Sequence, residues 1–231
     1  MGKIKKFIIG EFLDWKIWEV SFLVLVYIVA LYNGLVLHDN PFAVVAAICG
    51  ATATAAAGKG KISTYIFGMV GTLCYAYIAL KSMVYGNFLL NIFYYFPMQF
   101  IGIMAWKKHM KSDKQEIVKT KLTKFEKLII SASIIITFIT CAIILTYLND
   151  VHPYIDAITT VGSVFGVILT VKRCFEQWYV WFVVNGLTLY MWIQIVLSGS
   201  NVYSTVIQWA AYFLIGIYFM FVWRKELNEK N

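Results

Sequence analysis

Charge is scarce in this sequence. Of its 231 residues only 14% are Asp, Glu, Lys or Arg, where a soluble domain carries roughly 25%. With 61% hydrophobic residues and a mean hydropathy of +0.72, a soluble fold would leave much apolar surface uncovered, which excludes that class. The four cysteines, Cys49, Cys74, Cys141 and Cys174, form no CxxC pair. Free thiols are expected, and a disulfide framework is excluded. The histidines 38, 109 and 152 fall in expected loops, too scattered for a metal site, and no cofactor is implied. Acids are missing where they would matter most. Glu11, Asp14, Glu19, Asp39, Asp113, Glu116, Glu126, Asp150, Glu226 and Glu229 lie outside the apolar segments, and Asp156 and Glu176 sit at or near helix starts. Proton- or sodium-coupled carriers generally keep a carboxylate in mid-membrane. Its absence favours uncoupled diffusion.

What is present is a succession of apolar segments: 20–37, 42–58, 62–81, 88–106, 127–148, 154–171, 178–197 and 203–223. Each is near the roughly 20 residues that cross a ~30 Å hydrocarbon core as helix. Helices satisfy their own backbone groups in lipid, and these runs are too evenly apolar for barrel strands. The charged stretch up to Glu19 leads into a full-length apolar run without a small-residue cleavage site, so no cleaved signal peptide is expected. With eight spans both termini share a side, and that side collects every basic residue except Lys81. It includes Lys3, Lys5, Lys6 and Lys16, Lys59 and Lys61, the run from Lys107 to Lys127, Lys172 and Arg173, and Arg224, Lys225 and Lys230. The positive-inside rule makes it cytoplasmic. The net charge of +8 therefore reads as topology, and nucleic acid is not an expected partner.

The two halves resemble each other. Setting Lys59 on Lys172 places Tyr65 on Trp178, Tyr77 on Tyr190 and Gly86 on Gly199. After a slip of about one helical turn, Asn91 meets Gln208, Tyr95 meets Tyr212, and AWKK (105–108) meets VWRK (222–225). The expected fold is an all-α integral membrane protein of plan 1 + (3+1+3), two parallel three-helix repeats joined by a linking helix. Residues 1–41 hold the N-terminus and an extra span, 42–108 the first triplet, and 109–153 a basic loop and the linking helix. The second triplet is 154–225, and 226–231 form a cytoplasmic tail. Parallel repeats of this kind are a transporter architecture with substrate between them near the midplane.

Polar residues recur in stripes on equivalent spans. Asn91, Tyr95 and Gln99 share one face of the fourth span, with Pro97 in its middle, freeing the carbonyl of Phe93. Trp178, Trp181, Asn185, Thr188 and Trp192 share a face of the seventh, and Gln208 and Tyr212 one of the eighth. A lone carboxamide in a membrane helix reads first as glue between helices. Pro97 reads equally as a packing kink, and Trp178 as an anchor or a stripe member. Trp106 and Trp223, each followed by two cations, read as interfacial anchors. Convergence of the stripes turns the balance toward a solute site. Carboxamides among aromatics suit a flat, neutral, polar ring. A membrane-embedded enzyme would need a carboxylate pair, a His cluster or a metal motif, and a lipid-binding scaffold would not need the repeat.

YGNFLLNIFYYFPMQFIGIMAW (85–106) and EQWYVWFVVN (176–185) resemble the signature stretches of the PnuC family of vitamin transporters, over roughly residues 42–225. The resemblance implies import of nicotinamide riboside by facilitated diffusion across the inner (plasma) membrane, a homotrimer, and trapping by a cytosolic kinase. Related transporters take thiamine or riboflavin. It implies substrate contacts at Trp178, Trp181, Asn185 and Gln99, with Asn91 and Tyr95 nearby. The stripes and repeat pairs add Tyr190, Gln208 and Tyr212 to the candidate site.

Overall fold

The computed structural model describes residues 10–11, 14–110, 116–148 and 153–229. Lys3, Lys5, Lys6, Asp113, Asp150, His152 and Lys230 lie outside these residues. Among the described residues, eight helices are long and apolar enough to span a membrane. They are α1 (Ile17–Val36), α2 (Pro41–Lys59), α3 (Ser63–Lys81), α4 (Tyr85–Lys107), α5 (Lys124–Tyr147), α6 (Pro153–Val171), α7 (Gln177–Leu197) and α8 (Tyr203–Asn228). Strand structure among the described residues is limited to two isolated bridges, Met110–Ile117 and Thr120–Cys174. None of the four cysteines forms a disulfide.

Local chemistry sets the helix ends. Asn40 accepts a hydrogen bond from the Phe42 amide at 2.9 Å, with Pro41 at the first helical position, so α2 starts there. Gly60 closes α2 at φ 71°, a left-handed conformation that glycine adopts without strain. Thr123 and Glu126 form a reciprocal capping box, with Thr123 N–H donating to Glu126 Oε2 at 2.8 Å. That box starts α5 at Lys124, earlier than hydropathy alone places it. Asp39 ties the α1–α2 turn to the start of α8 by accepting from the Ser204 amide at 2.6 Å.

Packing joins six helices into a ring. α2 lies on α3, α3 on α4, α4 on α6, α6 on α7, α7 on α8, and α8 back on α2. The last helix of each triplet thus meets the first helix of the other along a seam. Small residues let backbones approach: Ala43, Ala46, Ala47, Gly50, Ala51 and Ala53 of α2 are all buried. A Cβ on Gly50 would stand 1.9 Å from the Tyr212 hydroxyl, and one on Gly58 would stand 2.0 Å from the Phe219 ring. α5 packs on α6 and turns Ile135, Ile136, Ile139 and Ile143 outward, a face suited to lipid.

Trp106 and Trp223 are not interfacial anchors. Both are fully buried at the seams. The Trp106 indole N–H donates to the Thr170 carbonyl at 3.1 Å, and that of Trp223 to the Gly58 carbonyl at 2.7 Å. The cations that follow them lie beyond the core, which is why the sequence pattern looks interfacial. Each ring also meets the aromatic of its own triplet edge-on: Tyr65–Trp106 at 4.9 Å and Trp178–Trp223 at 5.6 Å between centroids. These are the same positions that pair in the sequence repeat.

α1 lies across α2 and α8. Its Glu19, in the first helical turn, is buried and ion-paired with Lys59 of α2 at 2.9 Å; it also accepts from the Tyr218 hydroxyl of α8 at 2.9 Å. On the same end of the bundle, residues 116–123 form a strap. Ile117 N–H donates to Gly60 O, Phe175 N–H to Thr120 O, and Lys119 pairs with Glu226 at 2.6 Å. The strap therefore touches the α2–α3 turn, the α6–α7 turn and the end of α8. Lys61 is buried beside it, and burial lowers its pKa against the pull of Glu116 and Glu11.

Candidate functional site

Between the triplets lies a cavity of about 180 Å3 to which α2, α3, α4, α6, α7 and α8 all contribute. A cavity of ~150 Å3 is known to accept a benzene ring, so this one has room for a planar ring and more. The three stripes read from the sequence converge on it. Asn91, Tyr95 and Gln99 line it from α4, Trp178, Trp181 and Asn185 from α7, and Gln208 and Tyr212 from α8. Tyr190 does not. It is 56% exposed on the outer face of α7, because five residues beyond Asn185 turn a helix by about 140° from that face. Its repeat partner Tyr77 also faces outward, packed on Phe42 at 4.4 Å.

Trp178 is buried at the cavity wall, which decides between its two readings. α4 reaches the cavity through a widened turn. Residues Asn91–Tyr95 are π-helical, with the Phe96 amide donating to the Asn91 carbonyl, and Pro97 follows directly. A π-turn inserts an extra residue into a helix and is frequent at functional sites. The sequence signalled the interruption through Pro97 but not its form.

Hydrogen bonds fix part of the lining. Asn91 donates to the Asn87 carbonyl at 2.8 Å, and Gln208 Nε2 to the Tyr212 hydroxyl at 2.9 Å. The Trp181 indole donates to Thr170 Oγ1 at 3.0 Å, and Trp192 to the Tyr75 hydroxyl at 2.9 Å. Other polar atoms at the wall have no protein partner: Tyr65 Oη, Gln177 Nε2, Trp178 Nε1 and Gln208 Oε1 are buried and unbonded. Buried polar groups are ordinarily paired, and these are donors and acceptors that a solute or water would satisfy. The side chains of Gln99 and Asn185 likewise bond no neighbour among the described residues. Glue between helices would require such a bond.

No residue lining the cavity carries a charge, and the described residues hold no cluster of His, Cys, Asp and Glu fit for a metal ion. The arrangement can stack a flat ring and exchange hydrogen bonds with neutral groups. Gln177, Thr170, Tyr65 and Tyr75 are lining residues that the stripes did not single out. Gln177 was legible in principle, one position before Trp178 at the start of the same helix.

The sequence pattern of a family described as nicotinamide mononucleotide transporter matches residues 40–225. The nicotinamide riboside transporter PnuC of Neisseria mucosa is 31% identical over 221 residues, which cover 93% of this chain and 82% of that protein. The protein of the same name from Haemophilus influenzae is 28% identical over 94% of each chain. A crystal structure of the vitamin B3 transporter PnuC matches with a TM-score of 0.87 at 28% identity, over 98% of this chain and 99% of that one. The match runs through both triplets, both seams and the cavity between them, and the chain belongs to the nicotinamide mononucleotide transporter family that includes the PnuC proteins.

Proposed function

We propose that the chain imports nicotinamide riboside by facilitated diffusion, binding it between the two triplets. The chain is a transporter rather than an enzyme, as its relatives are. The observation that carries the choice of substrate is the uncharged, aromatic-walled cavity. The mononucleotide bears a phosphate, and a dry phosphate needs Arg or Lys to neutralise it. The riboside lacks that phosphate. Its nicotinamide ring is flat but, unlike the neutral ring expected from the stripes, is a pyridinium whose delocalised charge suits the faces of Trp and Tyr, and its amide and hydroxyls suit the unbonded donors and acceptors at the wall. Trp178, Trp181, Asn185 and Gln99 hold the solute, with Asn91, Tyr95, Gln208 and Tyr212 completing the site.

Diffusion without a coupling ion is supported by the position of the acids. Glu19, Asp39, Asp156 and Glu176 sit at helix ends or turns, and none lines the cavity. Both termini are cytoplasmic in this reading, the protein is a homotrimer in the inner membrane, and a kinase retains the product inside. Uptake into proteoliposomes of purified protein tests the function, with riboside, thiamine and riboflavin compared. The riboside, a cation, should equilibrate and stop at zero membrane potential, with or without proton and sodium gradients. Preference for another vitamin would reject the substrate, and accumulation driven by either gradient at zero membrane potential would reject the uncoupled mechanism.

A further inference from the structure

Gln177 is 1% exposed, borders the cavity, and has one half of its amide paired and the other not. The pairing runs through Thr170, whose Oγ1 lies 2.7 Å from Gln177 Oε1 and accepts from the Trp181 indole at 3.0 Å. Thr170 Oγ1 also lies 2.8 Å from the Gly166 carbonyl, so its one proton is shared between two acceptors. The oxygen of Gln177 faces the hydroxyl, and its NH2 is buried beside the cavity without an acceptor. Three more donors in the same state, Trp178 Nε1, Trp209 Nε1 and Tyr65 Oη, belong to residues that line the same cavity.

We propose that Gln177 is a specificity-determining donor, oriented by the relay Trp181–Thr170–Gln177 so that its amide NH2 binds an oxygen of the solute. The inference rests on the riboside reading above and adds a residue to it. Thr170 is a positioning residue: it turns the amide. The relay also couples two functions of α7, because the indole that offers a stacking face also holds the hydroxyl that orients the amide.

The test pairs protein variants with ligand variants. Nicotinamide riboside and analogues each lacking one oxygen, at the carboxamide or at a single ribose hydroxyl, are titrated into purified wild type and Gln177→Met. Gln177→Met should weaken the riboside by about 5- to 150-fold and should have no further effect on the one analogue that lacks the partner oxygen. A merely structural role would lower affinity for every analogue by the same factor, and that result overturns the proposal. So does Gln177→Met binding the riboside like wild type. If Gln177→Met does not assemble, Thr170→Val takes its place, with a smaller loss that vanishes for one analogue. Wild type that binds no riboside rejects the substrate reading itself. Wild type that binds while Gln177 is indifferent rejects only this inference.

Discussion

Asn185 and Gln99 carry carboxamides from opposite triplets to one cavity, with no bond to a neighbour among the described residues. Leaving a solute group unpaired in a dry site costs about 1–3 kcal/mol, or roughly 5- to 150-fold in affinity. Asn185→Leu and Gln99→Leu should each weaken riboside binding by that factor in calorimetric titration while the protein stays monodisperse. Normal affinity in both would remove them from the site. Trp223 and Trp106 should behave in the opposite manner. Replacing Trp223 by Phe keeps a ring but strips the buried Gly58 carbonyl of its donor, at about 1–3 kcal/mol of stability; the Thr170 carbonyl keeps the Arg173 amide when Trp106 is replaced, so the loss there should be smaller. Thermal unfolding in detergent should show the loss, with affinity retained in the folded fraction. Position at the cavity was legible at this scale where spacing was regular, as in Trp178, Trp181 and Asn185. It misled at Tyr190, which a repeat alignment matched by type while helical geometry turned it outward. It missed Gln177, because one amide beside a helix start has no periodicity to mark it.

α4 is the helix whose form the sequence described least. Its apolar length gave the span and Pro97 gave the interruption, but the π-turn at Asn91–Tyr95 depends on how the neighbours accept the extra residue. An Ala at position 97 restores a backbone donor and favours a regular helix. Pro97→Ala should therefore leave the melting temperature unchanged or raised, and should weaken riboside binding by rotating Asn91 relative to Gln99. Equal affinity would show that the wide turn plays no part in the site. The other element boundaries shifted for local reasons. α5 begins at its capping box, and α8 continues through Asn228, past the apolar run, where Lys119 and Lys121 bond Glu226 and Asn228. Hydropathy locates where lipid ends, and it cannot see a polar extension held by a strap.

At the scale of the whole molecule the ring has two seams of like chemistry, each with its tryptophan bonded to a carbonyl across it. The seams differ in what lies outside them. α1 covers the α2–α8 seam and is fixed to both helices through Glu19, Lys59 and Tyr218. Breaking a buried ion pair from one side costs about 3–5 kcal/mol, so that seam resists parting. The α4–α6 seam has no equivalent brace among these contacts, and it carries Pro97 and the π-turn. The bundle is thus bound like a book, with α1 glued along the spine, and any opening of the ring is expected at the fore-edge. A cysteine pair cross-linked across α4–α6 should halt riboside uptake, while one across α2–α8 should leave it running. The reverse result would put the spine on the wrong side. If uptake stops only with the α4–α6 cross-link, the extra helix is no appendage to transport, since it decides which of two nearly identical edges opens.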